Sequence, residues 1–210
     1  MIKILIVDDH PIVRKGMRQI LSEVDDIQIT DEADKACDVP VKIRQQHFDV
    51  VLLDISLPDV NGLEVLKQIK YEKPDLPVLI LSTYPEEQYA VRTLKAGAAG
   101  YLTKDKAPGE LINAIRKVSV GRKYISSYVA EKLADELYKD SGKLPHETLS
   151  DREYQILTLI AEGKTCNEIA DMLSLSNKTV ATYRSRILEK MDMKNNADII
   201  RYALHNHIIE

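Results

Sequence analysis

Apolar residues follow two rhythms along this chain. Up to about residue 120, short continuous apolar runs alternate with segments whose apolar positions recur every three or four residues. Beyond residue 148 only the second rhythm remains. Continuous runs bounded by polar residues predict strands buried on both faces. They cover Ile4–Val7, Asp49–Asp54, Pro77–Ser82 and Ala99–Lys104, while the alternating Ile27-Gln28-Ile29-Thr30 predicts the second strand. Helical spacing predicts a helix after each. One starts near Pro11 and carries Ile12, Met17, Ile20 and Leu21. The second is capped by Asp38 with Pro40 in its first turn, and the third follows Gly62. The fourth ends at Gly97, and the fifth runs through Leu111, Ile112, Ile115 and Val118 to a stop near Gly121.

Five strand–helix alternations predict an α/β unit, a doubly wound five-stranded parallel sheet with right-handed crossovers. Tyr128, Val129, Leu133 and Leu137 suggest one further helix. Lys139-Asp140-Ser141-Gly142-Lys143-Leu144-Pro145 then has linker chemistry. The expected division is 1–121, a linker with a helix over 122–145, and a smaller all-α domain over 146–210. That last part opens with Ser150 as a cap and Glu153 three residues on, a capping box. Its buried stripe is Ile156, Leu157, Ile160 and Ala161. A short helix over Thr165–Leu173, the turn Ser174-Leu175-Ser176 and a helix over Asn177–Met191 form a helix-turn-helix, followed by a helix over Asn195–Asn206.

Composition narrows the class. With 44% apolar and 30% charged residues in 210, the chain can build cores and is not disordered. The net charge is −4; residues 1–120 carry −3 and 146–210 carry −2, so a nucleic-acid surface must be a local patch. No apolar run is long enough for a membrane span. The start, Met1-Ile2-Lys3-Ile4-Leu5-Ile6-Val7, lacks a signal-peptide layout, so the expected compartment is the cytoplasm. Cys37 and Cys166 lie far apart and form no ligand motif.

Chemistry gathers at strand ends. Asp8 and Asp9 follow the first strand, Asp54 ends the third, Ser82 the fourth and Lys104 the fifth. In a sheet wound outward from its first strand, strands one and three are neighbours, so three carboxylates converge where open α/β sheets keep their ligands. They need a cation, and all-oxygen ligands in a site handling phosphate suit Mg²⁺. Asp54 is then a phosphate acceptor, with Lys104 neutralising a phosphoryl oxygen and Ser82 donating a hydrogen bond. Each piece alone is weak, since an Asp at a strand end often only caps the next helix. The ordered set is strong.

Residues 1–120 resemble the receiver domain of two-component response regulators, a flavodoxin-like fold. The resemblance rests on Val7-Asp8-Asp9-His10, Leu53-Asp54-Ile55-Ser56-Leu57-Pro58, Ser82-Thr83, Gly97-Ala98-Ala99-Gly100-Tyr101 and Lys104. It implies that a sensor histidine kinase donates phosphoryl to Asp54. It implies that Asp9, Asp54 and the Ser56 backbone carbonyl bind Mg²⁺ directly, with Asp8 helping through water. It implies that Ser82 moves to the phosphate and Tyr101 turns inward behind it. Asp105 after Lys104 departs from the family's frequent Pro.

The third C-terminal helix offers a second site. Positions 178, 181, 182 and 185 share its outward face, small and polar, able to enter a major groove. From 178 to 194 there are five basic residues against two acids, the local patch that the net charge hides. Lys178, Thr179, Tyr183, Arg186 and Lys190 suit phosphates; Ala181, Thr182 and Ser185 suit base edges. This half resembles the LuxR-like helix-turn-helix of NarL/FixJ response regulators through Leu149-Ser150-Asp151-Arg152-Glu153, Ile160-Ala161-Glu162-Gly163-Lys164, Glu168-Ile169-Ala170, Leu173, Ser176, Thr179-Val180, Ile187 and Lys190. Ala181 stands where Lys is frequent in that family, and Tyr183 where His is.

The expected function is a phosphorylation-switched transcriptional regulator that binds double-stranded DNA and dimerises on activation. It is not an enzyme beyond Mg²⁺-dependent self-phosphorylation and slow autodephosphorylation. Two rivals are weaker. An aspartyl-phosphate phosphatase usually needs a second acid two residues after the nucleophile, where Ser56 stands. A protein-binding helical module wants apolar anchors, which the third helix lacks.

Overall fold

A computed structural model describes residues 1–58, 60–138 and 144–209. Asp59 and the linker residues 139–143 lie outside the described residues. The chain forms two compact units, 1–132 and 133–210.

In the first unit, β1 (Ile2–Val7), β2 (Ile27–Ala33), β3 (Val50–Asp54), β4 (Val78–Ser82) and β5 (Gly100–Thr103) form one parallel sheet of order β2-β1-β3-β4-β5. The order grows outward from β1 on both sides, as the alternation predicts. The helices are α1 (Pro11–Ser22), α2 (Asp38–Gln45), α3 (Gly62–Glu72), α4 (Glu86–Lys95) and α5 (Pro108–Ser119). Alternate strand residues Ile4, Ile6, Val50, Leu52, Leu79 and Leu81 pack with Met17 and Leu21 of α1 and Leu111, Ala114, Ile115 and Val118 of α5. Leu5, Val7, Val51, Leu53 and Ile80, pointing to the opposite face, are buried too. Each such side chain contributes about 1.5–3 kcal/mol by leaving water. β2, at the sheet edge, is half-exposed and runs on through the polar Asp31 and Glu32, three residues past the expected end at Thr30.

Two sequence expectations are corrected. Ile12, counted on the apolar stripe of α1, is 86% exposed, because the stripe that meets the sheet is Met17 and Leu21. Asp38 is the first helical residue of α2 and not its cap; the capping position is Cys37, whose side chain caps nothing.

α6 (Ser127–Tyr138) leads out of the first unit. The second unit holds a 3-10 turn (Pro145–Thr148) and four helices, α7 (Asp151–Ala161), α8 (Cys166–Met172), α9 (Asn177–Lys190) and α10 (Asn196–His205). α7 is central, in contact with α8, α9 and α10 and buried along its whole length. Ser150 and Glu153 form the expected capping box, and Thr165 with Glu168 builds a second at the start of α8. Ser174, between α8 and α9, has φ 51, a left-handed turn residue. The buried Arg152 of α7 donates to the Leu173 carbonyl at 3.1 Å and fixes that turn.

Candidate functional sites: a carboxylate cluster and an exposed helix

Register brings the acids together. Val7 pairs with Leu53, so the next residues, Asp8 and Asp54, emerge side by side from adjacent strands. Ser82 pairs with Thr103, which places Lys104 just beyond, and the Lys104 backbone N–H donates to the Ser82 carbonyl at 2.8 Å. Asp8 and Asp54 are each 1% exposed. The Lys104 ammonium, with a side chain 12% exposed, lies 2.7 Å from Asp54 Oδ2 and 2.7 Å from Asp8 Oδ2. The other Asp54 oxygen accepts from the Ser56 backbone N–H at 2.9 Å.

Ligand atoms of Asp8, Asp9, His10 and Asp54 all fall within 4.8 Å of one another. Three carboxylates therefore face one ammonium, an excess of two negative charges. Burial, assisted by Asp8, pushes the Asp54 carboxyl above its ordinary range, against the pull of Lys104 and the Ser56 N–H. Burial opposes the charge on Lys104, but Asp54 and Asp8 outweigh it and raise its pKa. Such a site favours a divalent cation. The oxygen-rich donor set fits a hard ion, and the Ser56 hydroxyl is buried without a hydrogen-bond partner among the described residues.

The loop that follows Asp54 is fixed by Gly62. A Cβ there would sit 2.6 Å from the Ile55 Cα and closer still to the Asp54 carbonyl, so a side chain would displace the backbone of the site. Asn61 caps α3 and accepts from the Leu63 N–H at 2.8 Å.

Two residues in this site escaped the sequence reading. Arg14 donates to the Asp8 carbonyl at 2.6 Å and pairs with Glu32 at 3.1 Å, anchoring the turn that carries the acids. Its position, one turn into α1 after the Asp-Asp pair, was the available signal. The other is His10, whose side chain is 59% exposed and whose Nδ1 lies 2.8 Å from Asp9 Oδ1.

Ser82 and Tyr101 are already linked. The Tyr84 N–H donates to Ser82 Oγ at 3.0 Å, and the buried Tyr101 hydroxyl donates to the Tyr84 carbonyl at 2.8 Å. Burial raises the Tyr101 pKa, keeping the phenol protonated and able to donate.

On α9, Val180 and Ile187 are buried, while Lys178, Ala181, Thr182, Ser185 and Arg186 are exposed. Thr179 and Tyr183 are half-buried, and the Thr179 hydroxyl is 2.8 Å from that of the capping Ser176. The long cations lean aside. Arg184 donates to Asn196 of α10 at 2.6 Å, and Arg186 lies over the Tyr183 ring at 6.0 Å. Lys190 donates at 2.6 Å to Glu153 Oε2, the oxygen that also accepts from the Ser150 N–H and hydroxyl.

Comparison with known proteins agrees with this arrangement. Residues 4–116 match the response regulator receiver domain, and residues 147–203 match the luxR family of bacterial regulatory proteins. Response regulator UvrY of Escherichia coli (strain K12) is 37% identical over 207 residues, covering 98% of this chain and 95% of its own. Response regulator GacA of Pseudomonas aeruginosa is 36% identical over 211 residues, covering 100% and 99%. Among solved structures, response regulator ChrA of a heme-sensing two-component system is 32% identical over 99% of this chain and 98% of its own, with a TM-score of 0.53. RcsB from Salmonella enterica serovar Typhimurium, bound to promoter rprA, is 26% identical over 96% and 97%, with a TM-score of 0.62. With a receiver sheet ending in an acid cluster and a luxR-type helix-turn-helix later in the sequence, the chain belongs to the NarL/FixJ family of two-component response regulators.

Proposed function

We propose that this response regulator accepts a phosphoryl group on Asp54 from a phosphohistidine of a sensor kinase and thereby controls DNA binding by its C-terminal domain. The observation that carries the reading is the buried Asp54 held by Lys104 at 2.7 Å beside Asp8. The functional parts are the receiver, 1–121, a linker with a helix, 122–145, and the DNA-binding domain, 146–210.

Asp9, Asp54 and the Ser56 carbonyl, with Asp8 in support, would hold Mg²⁺, which when bound would supply charge neutralisation for the incoming phosphoryl group. The chain's residues do the rest. An Asp54 oxygen attacks phosphorus as the histidine nitrogen leaves. Lys104 releases its hold on Asp54 and Asp8 and takes a phosphoryl oxygen. Ser82 turns its hydroxyl to another. Because Tyr84 bonds both Ser82 and Tyr101, movement of Ser82 reaches the Tyr101 ring, the expected switch. The product is a conformational signal. Turnover is limited to slow hydrolysis of the protein's own acyl phosphate.

On the DNA side, Lys178, Thr179, Tyr183 and Arg186 contact phosphates, and Ala181, Thr182 and Ser185 face bases. Lys190 can reach a phosphate as well, but its first partner is Glu153. Two copies would read half-sites about one duplex turn, roughly 10 bp, apart. The homologous RcsB is solved on promoter DNA with phosphomimetic BeF₃⁻ and as dimers on DNA, which supports phosphorylation-linked dimeric binding here. The protein would act in the cytoplasm, the compartment of the DNA; among the described residues no helix is long and apolar enough to cross a membrane.

Acetyl phosphate with Mg²⁺ should add one phosphoryl group to the wild type and none to Asp54→Asn, read by intact-protein mass spectrometry. Equal labelling of both would remove Asp54 as the acceptor.

A further inference from the structure

The exposed face of α9 is short of hydrogen-bond donors where an operator would need them to read guanine. Thr182 Oγ1 donates back to the Lys178 carbonyl at 2.9 Å, and Ser185 Oγ donates back to the Ala181 carbonyl at 3.1 Å. Both hydroxyl protons are thus used within the helix. What the two residues turn outward is acceptor lone pairs and, for Thr182, a methyl group. Ala181 adds a second methyl and no polar atom. Bidentate reading of guanine needs a long cation reaching O6 and N7. Arg184 is held by Asn196, Arg186 lies over Tyr183 and Lys190 is held by Glu153, so none of the three points from the middle of this face. Lys178, one turn earlier, is the long donor left at its edge.

From this we infer that Thr182 is a specificity-determining residue: its γ-methyl, beside the Ala181 methyl, recognises the 5-methyl group of a thymine, so that each half-site carries an A·T pair opposite these two positions. The inference rests on the reading that α9 enters the major groove. It goes further by naming the base, the atom recognised and the residue that recognises it. The outward lone pairs of Thr182 and Ser185 fit the same pair, since the adenine partner offers an N6 amino donor in that groove.

The test uses the full chain with BeF₃⁻ and Mg²⁺. A duplex is first selected from a random library, and each thymine of its half-site is then replaced in turn by deoxyuridine, which lacks only the methyl. One or two positions should lose affinity by about fourfold, the value of burying a single methyl-sized group. Thr182→Val keeps the methyl and should retain that loss. Thr182→Ser keeps the hydroxyl and should abolish it. The side chain is exposed, so neither change removes core packing. Tolerance of deoxyuridine at every position overturns the inference while leaving DNA binding intact, and so does a uracil penalty that persists in Thr182→Ser. If no duplex is enriched at all, the groove-binding reading falls, and the inference falls with it.

Discussion

At the scale of single residues, the receiver site is defined by charge imbalance. Lys104 offers one ammonium to two buried carboxylates, with Asp9 beside them. It therefore competes with any cation for the same oxygens. Lys104→Met should bind Mg²⁺ more tightly than the wild type in calorimetric titration, yet bind BeF₃⁻ more weakly, because a phosphoryl-like ligand loses its cationic partner. Weaker Mg²⁺ binding in the variant would show that the ammonium organises the cluster and does not compete within it. Glu153 poses a different balance. Burial works against its charge, but Lys190, the Ser150 N–H and the Ser150 hydroxyl prevail and hold its carboxyl below the usual range. A depressed carboxylate contributes stability above its unfolded pKa, about 4.3, and loses it as pH falls through the folded value. Glu153→Gln should be less stable than wild type at pH 7, and the gap should close on acidification below about pH 4. A gap that stays constant with pH in thermal unfolding would place the effect in packing and not in charge.

At the scale of elements, the buried strands were legible because a parallel strand covered on both faces reads as an unbroken apolar run. Val50–Asp54 and Val78–Ser82 differ from their sequence reading by one residue at one end. Caps at Ser150 and Ser176 were legible because a side-chain acceptor must sit just before the first helical N–H groups, whereas Asn195, read as the first residue of its helix, is the cap of α10. What escaped depends on partners distant along the chain. Arg14 meets Glu32, and Lys190 meets Glu153 across 37 residues; no local period marks either pair. Ile12 failed for a different reason, since the face of α1 that packs on the sheet runs through Val13, Met17, Ile20 and Leu21, one position away from Ile12. For α9 the distinction among cations matters. Arg186 is exposed and makes no ion pair among the described residues, so Arg186→Ala should flatten the logarithmic dependence of DNA affinity on salt by about 0.9, one phosphate contact. An unchanged slope would remove Arg186 from the phosphate-binding set. Lys190→Met, whose charge is already matched by Glu153, should weaken binding with a smaller change of slope.

For the whole molecule, the proposed function joins chemistry at Asp54 to a binding equilibrium. Added charge at Asp54 can shift a population only if one arrangement of the protein holds the phosphoryl group better than another. The path from Ser82 through Tyr84 to Tyr101 is a structural candidate for how that preference leaves the site. The order of elements made both ends of this link legible, since a strand-end acid set and a helix-turn-helix each carry their own local pattern. The link itself has no local pattern, because it depends on two conformations of one sequence. It is tested most directly by titrating a selected operator duplex with wild type and Asp54→Asn, each with and without acetyl phosphate and Mg²⁺, and reading affinity by fluorescence anisotropy. The account predicts a gain of affinity on phosphorylation for the wild type alone. An equal gain in Asp54→Asn, or no gain in a wild type verified as phosphorylated, would contradict it.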